Sequence, residues 1–242
     1  MTPSAVFPLS PLPVRKVPFD HVVQEEFLEP AVYEELERSF PTCGPSTGPT
    51  GFSYYWGDEE YQRLITGNWA WKRFFETVHS QDFVRFCAVQ FARTCRDHGC
   101  TVDFDKAVYV PYRESREDKE RRHLRAVTHA PHELYVRLDV HQGHLGYRRK
   151  VHLDHRRRVA TLLIYFCDSH ESAREGGDLV LHRSLLRVIR PEGARVRPQR
   201  NLMAGFACSP VSYHSVPDIV AQSSPRNFVQ VQLSSQVDAW PR

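Results

Sequence analysis

No run of this sequence is apolar for long enough to cross a membrane or to serve as the core of a signal peptide. The first residues are proline-rich instead, with Pro3, Pro8, Pro11 and Pro13 close together, and predict an irregular N-terminal arm. Paired cysteines are also missing. Cys43, Cys87, Cys95, Cys100, Cys167 and Cys208 form no C-x-x-C pair and no tight framework, which argues against a disulfide-stapled secreted domain and predicts reduced thiols and a cytoplasmic protein. An excess of charge of one sign is also missing, with 32 Lys and Arg against 29 Asp and Glu. A formal net charge of +3 gives no indication of a basic groove, so a nucleic-acid partner is not expected.

What is present is ordinary for a globular chain: 242 residues, 41% apolar and 25% charged. That length suffices to bury roughly 70 to 75% of the unfolded surface. In the first half, Phe19 to Val23 has the character of a short strand. Pro30 to Phe40 places Val32, Tyr33, Leu36 and Phe40 at helical spacing, with Pro30 in a first turn and Pro41 as a stop. Thr42 to Gly51 is loop-like, and Tyr54-Tyr55-Trp56 after it reads as packing. From Trp69 to His98 apolar residues recur at three and four, ending at Gly99. The segment from Tyr112 to Pro131 is dense in both charge signs and reads as a solvated loop or short surface helix, with a lid over a site as the sharper alternative.

After Pro131 the period changes to two. Leu134, Val136, Leu138 and Val140 alternate with Tyr135, Arg137, Asp139 and His141, so one strand face is apolar and the other polar. Ala160 to Phe166 is more continuously apolar; turning Tyr165 inward also turns Thr161 and Leu163 inward. Gly176-Gly177 and Pro191-Glu192-Gly193 read as turns. Strands are expected over 178–182, 201–208, around 214 and from Arg226 to Ser234, the last with Val229, Val231 and Leu233 on one face and Arg226, Phe228 and Gln230 on the other. Many short strands after a helical half predict a sandwich or barrel braced by helices.

Within that strand-rich half, His152 and Asp154 stand at i and i+2. On an extended segment both side chains project to one side, roughly 6.5 to 7 Å apart by backbone rise, within reach of one ion. His214 is the best source of a third ligand. Two imidazoles and one carboxylate on one face of an octahedral ion are the donor set of non-haem Fe(II) oxygenases, with three positions left open. His155 does not extend this into the H-x-H-x-D-H zinc motif of metallo-β-lactamase-like hydrolases, because position 150 is Lys. With Arg156, Arg157 and Arg158 it reads as a basic turn. Arg137 and His141, on the polar strand face, are candidate substrate-pocket residues.

Together, His152-Leu-Asp154, Thr161-Leu-Leu-Ile-Tyr165-Phe, Gly176-Gly-Asp-Leu179, His214 and Arg226 resemble the prolyl-4-hydroxylase-like branch of the Fe(II)/2-oxoglutarate oxygenases. The motif-bearing resemblance spans Leu134 to Ser235, and more weakly Pro18 to Pro41. It implies an α+β, mainly β protein: a double-stranded β-helix (jelly-roll, cupin-like) over 131–236, braced by mainly helical support and a charged loop over 1–130, within a single oxygenase domain spanning 1–242. It further implies Fe(II) on His152, Asp154 and His214, 2-oxoglutarate chelated there with its distal carboxylate on Arg226, and a contact to that carboxylate from Tyr165. O2 is the other co-substrate.

Because residue 154 is Asp rather than Gly or Ala, a carboxylate fills the position that iron halogenases leave for chloride, and hydroxylation is the expected outcome. The expected activity is hydroxylation of an unactivated C–H bond of a small molecule, an amino acid or natural-product intermediate, with release of succinate and CO2. Hydroxylation of a prolyl residue in a protein or peptide is the alternative within the enzyme class. A non-catalytic cupin-like metal-binding or sensor module is the alternative outside it.

Overall fold

The structure is a computed structural model that describes residues 5–8, 10–42, 49–121, 129–167, 174–184 and 191–241. Cys43, most of the Thr42 to Gly51 loop and residues 122–128 of the charged segment lie outside the described residues. The elements in chain order are β1 (His21–Gln24), α1 (Pro30–Arg38), β2 (Phe52–Tyr54), α2 (Glu59–Gly67), α3 (Trp69–Val78), α4 (Gln81–Asp97), β3 (Val108–Tyr109), α5 (Arg116–Arg121), β4 (Glu133–Gly143), β5 (Arg149–His152), β6 (Arg158–Tyr165), β7 (Leu179–His182), β8 (Glu192–Val196), β9 (Met203–Ala207), β10 (His214–Val216) and β11 (Arg226–Ser235).

Two sheets face each other. The larger runs β1-β9-β6-β11-β4-β2, with β3 joined in parallel to β4; the smaller runs β5-β10-β7-β8. This is the expected mainly β architecture of a double-stranded β-helix. β11 lies at the centre of the large sheet, paired antiparallel with β4 from Arg226 to Ser235 and with β6 from Phe228 to Ser234. Its alternation decides what goes where. Val229, Val231 and Leu233 join Leu134, Val136, Leu138 and Val140 of β4 and Ala160, Leu162, Ile164 and Phe166 in one apolar cluster under the helices. Tyr165, Leu163 and Phe228 belong to a second cluster between the sheets.

The helices cover the outer face of the large sheet: α3 packs on β4, and α4 on β6 and β9. Each buried Leu, Val or Phe there contributes about 1.5 to 3 kcal/mol relative to exposure. Helix α1 starts where Glu29 accepts from the Val32 N–H and Pro30 occupies the first turn. The helical pattern from Trp69 to His98 is carried by two helices, α3 and α4. Asn68 caps α3 at Ala70 and Trp71, and Ser80, in an extended conformation, caps α4 through the Phe83 N–H, which breaks the chain between them. Gly99, at φ +73°, follows the end of α4, and the Cys100 N–H reaches back to the Cys95 carbonyl.

Three sequence expectations need correction. Glu192 and Gly193 open β8 rather than a turn, because the segment pairs with β7. The first half holds strands beyond the one expected near Phe19 to Val23: besides β1, which answers to it, β2 and β3 also join an edge of the large sheet. The charged stretches are also not uniformly solvated, since Glu114 and Arg158 are buried against each other. The five described cysteines, Cys87, Cys95, Cys100, Cys167 and Cys208, are free thiols. Among the described residues no helix is long and apolar enough to cross a membrane.

Candidate active site

His152 is the last residue of β5 and His214 the first of β10, and the two are register partners across that antiparallel pair. Their ring centroids are 4.2 Å apart. Asp154 lies two residues past the end of β5, where the chain has left the strand and turns toward the large sheet. Ligand atoms of His152, Asp154 and His214 all lie within 4.8 Å of one another. The structure thus brings together the three residues that the i, i+2 spacing and the resemblance single out.

Both imidazoles are fixed in one tautomer. Nδ1 of His152 is 2.8 Å from the Lys150 carbonyl, and Nδ1 of His214 is 2.9 Å from the Ser212 carbonyl. A carbonyl only accepts, so each Nδ1 carries a hydrogen, and in the neutral ring the lone pair falls on Nε2. Asp154 uses its two oxygens differently. Oδ2 accepts from Thr161 Oγ1 at 2.7 Å and from the Cys208 thiol, while Oδ1 stands 4.0 Å from Nε2 of His214. Thr161 in turn accepts from Gln232 Nε2 at 3.2 Å. Outer partners that set tautomer and carboxylate orientation in this way are characteristic of metal sites.

The electrostatics agree with that use. Burial opposes ionisation of Asp154, but the neighbouring His214, the Thr161 hydrogen bond and His152 outweigh it, holding the carboxyl below its ordinary range. Burial lowers the affinity of His214 for a proton, despite the pull of Asp154. An ionised carboxylate and a neutral imidazole are the states that bind a cation.

Arg226 opens β11 and is 1% exposed. Its Nε donates to the Gly177 carbonyl at 2.7 Å and its Nη2 to the Tyr165 hydroxyl at 3.2 Å. The guanidinium carbon lies 4.4 Å from the Phe228 ring centroid, 5.0 Å from that of Tyr165 and 5.6 Å from that of Tyr147. Nη1 is buried with no partner, an arrangement that a native fold rarely leaves without a purpose. The Gly176-Gly177 turn makes this possible. Both glycines have positive φ, and a Cβ at position 176 would lie 1.7 Å from the Asp218 carbonyl oxygen. Burial pushes the Tyr165 phenol up to about 12, so it stays protonated and its hydrogen remains to be donated.

Ligand candidates and Arg226 open into one cavity of about 470 Å³ between the sheets. Arg137, Asp139 and His141 line the same cavity from the inward face of β4, the strand beside β11, with Tyr55 over Arg137. The His141 ring stacks on Phe228 at 4.8 Å. Every site residue singled out in the sequence therefore lines this cavity or, for Tyr165, holds the Arg226 that does. Sequence reasoning missed Glu114, which accepts from Arg137 and Arg158 beneath the cavity wall; a carboxylate inside a run of mixed charges gives no signal of burial. It also passed over Asp139, although the β4 alternation puts it on the same face as its neighbours.

Residues 137–231 match the family model described as 2OG-Fe(II) oxygenase superfamily. Among solved structures, a 2OG-Fe(II) oxygenase family oxidoreductase from Burkholderia pseudomallei is 18% identical over 45% of this chain and 48% of that chain, with a TM-score of 0.34. A structure of prolyl 4-hydroxylases from Phytophthora capsici is 15% identical over 90% of this chain and 60% of that one, with a TM-score of 0.51. A Pseudomonas putida prolyl-4-hydroxylase is 12% identical over 89% and 92%, at 0.48. The chain thus spans 48% and 60% of the first two chains' own length. No curated protein matches. The matched segment carries His152, Asp154, His214 and Arg226 together, within a double-stranded β-helix that the Phytophthora structure shares. Residues 137–231 thus resemble the 2OG-Fe(II) oxygenase superfamily, whose members work with Fe(II), 2-oxoglutarate and O2.

Proposed function

We propose that this chain is a dioxygenase that hydroxylates an unactivated C–H bond of a small molecule, an amino acid or natural-product intermediate, converting 2-oxoglutarate and O2 to succinate and CO2. His152 and His214 through Nε2, and Asp154 through Oδ1, hold Fe(II). Arg226, with the Tyr165 hydroxyl, receives the distal carboxylate of 2-oxoglutarate. The observation that carries this reading is the pairing, in one cavity, of two Nε2 lone pairs and a carboxylate oxygen with a buried guanidinium whose Nη1 is unpartnered. An anion at Nη1 satisfies that nitrogen, and a charge-assisted bond to it is stronger than a neutral one. The residues present fit the ion and the co-substrate that the family uses.

Bound Fe(II) with 2-oxoglutarate supplies the oxidising chemistry, which inserts one oxygen atom of O2 into a C–H bond and the other into succinate. The chain's own residues orient and exclude. Thr161 keeps Oδ2 of Asp154 occupied and so leaves Oδ1 for the metal. The Lys150 and Ser212 carbonyls hold the Nδ1 hydrogens, so that in the neutral ring the lone pair of each imidazole is on Nε2. Phe228, Leu163 and Leu179 line the cavity and displace water from it. A cavity of about 470 Å³ is in the range of small-molecule sites, which supports a small substrate over an extended chain.

The test is Fe(II)-dependent release of succinate from 2-oxoglutarate, with Arg226→Ala as the discriminating variant. Wild type is expected to bind 2-oxoglutarate and turn it over, and Arg226→Ala to weaken that binding by roughly 30-fold or more, the loss of a buried charged pair. Wild type without 2-oxoglutarate binding overturns the reading. An Arg226→Ala protein that binds as wild type moves the assignment to a metal-binding module without turnover.

A further inference from the structure

The inward faces of β4, β11 and β6 form rungs across the large sheet. One rung consists of Arg137, Gln232 and Thr161, register partners in that order. Thr161 is the residue that holds Asp154. Arg137 therefore sits two strand spacings, roughly 10 Å, from the residue that orients a metal ligand. Arg226, paired with Gly143, lies at the far end of the same face. The cavity floor thus carries a cation at each end, and only one of them is used by the co-substrate.

Arg137 is built as an anchor. It is 3% exposed; its Nε donates to both oxygens of Asp139 at 2.9 and 2.7 Å, and its Nη1 to Glu114 at 2.7 Å. The Tyr55 ring lies 4.8 Å from its guanidinium carbon. Held on these sides, the guanidinium is fixed in orientation, yet Nη2 is buried and has no partner. Outside the proposed metal ligands and Arg226, the cavity wall carries Arg137, Arg149, Lys150 and Arg158 against the carboxylate of Asp139, with Glu114 behind it. Four cations against two carboxylates is a local excess in a chain whose whole formal charge is +3.

Resting on the reading of this cavity as the active site, we propose that the substrate is an anionic small molecule whose carboxylate seats on Nη2 of Arg137, opposite the end that Arg226 reserves for 2-oxoglutarate. The patch between the anchors, made by Leu163, Gln230 and Gln232, then carries the part of the substrate presented to the iron site. A planar carboxylate suits the donor plane of a fixed guanidinium, which a lysine ammonium does not reproduce. The cationic rim of Arg149 and Lys150 raises the local concentration of such an anion.

The experiment uses the full chain loaded anaerobically with Fe(II) and 2-oxoglutarate. The L-α-amino acids and their N-acetyl derivatives are compared with the corresponding primary amides, by calorimetry and by stimulated succinate release. At least one acid is expected to bind, with its amide at least tenfold weaker, and Arg137→Lys is expected to raise the KM for that acid at least tenfold with a smaller change in kcat. Amides binding as well as acids, or no acid binding at millimolar concentration, overturns the proposal. So does an Arg137→Lys enzyme with unchanged KM for the acid. The wild-type comparison does not depend on a variant that must fold. Failure of wild type to bind 2-oxoglutarate, measured first, counts against the proposed function instead.

Discussion

Thr161 has one hydrogen to give and gives it to Asp154, while accepting from Gln232. Thr161→Val keeps the shape and removes both bonds. Fe(II) affinity is expected to fall 10- to 100-fold, as for other outer partners of metal ligands, and equilibrium metal binding by calorimetry measures it. His214→Ala removes a proposed ligand outright, and no Fe(II)-dependent succinate above background is expected from it. At this scale the sequence was legible where chemistry demands a residue type at a spacing. That His152, Asp154, His214 and Arg226 meet in one cavity was readable because few other sets of residue types stand at those intervals. Glu114 was not, because Coulomb pairing with Arg137 and Arg158 is set by chain segments far apart in sequence. Arg158, read as part of a basic turn, is buried for the same reason.

Two elements position the cavity wall, and each has its own weak point. The Gly176-Gly177 turn delivers the carbonyl that holds Nε of Arg226. In Gly176→Ala the new Cβ overlaps the Asp218 carbonyl oxygen at a positive φ, so a loss of at least about 2 kcal/mol is expected in urea unfolding, together with weaker 2-oxoglutarate binding. The segment before α5 delivers Glu114. Burial opposes its ionisation, but Arg158 and Arg137 dominate and hold its carboxyl at about 2, against an ordinary 4.5. A depressed carboxyl stabilises the fold fully above its unfolded value and loses that contribution as pH falls from about 4.5 toward 2. The amount is about 3 kcal/mol. Acid unfolding of Glu114→Gln is expected to show a flatter pH dependence in that window, on top of lower stability at neutral pH, because two buried arginines lose a partner. Strand faces were legible from period-two alternation in β4, β6 and β11. The break between α3 and α4 was not, since both sides carry the same helical pattern and only the Ser80 cap separates them.

The molecule as a whole divides its site between two sheets. His152 and His214 ride on the small sheet, and Arg226 and Thr161 on the large one. Anything bound to the folded state alone raises its stability by about 2.7 kcal/mol at a hundredfold excess over Kd. For a chain of this size Fe(II) is expected to lift Tm by roughly 5 to 10 °C, and a chelator to reverse it, as scanning calorimetry would show. The pairing of the sheets, by contrast, was only partly foreseeable. Edge strands β2 and β3 follow loops whose composition gives little hint that they will add to β4. The small sheet consists of strands of three to five residues, and between them the two sheets share one apolar cluster. On the proposed function, an ion gripped by one layer and a co-substrate gripped by the other would act as a rivet through both. Take either away and the thinner layer is the one to breathe: backbone amides of β5 and β10 are expected to exchange hydrogen faster in the apoprotein, while those of β11 keep their pace.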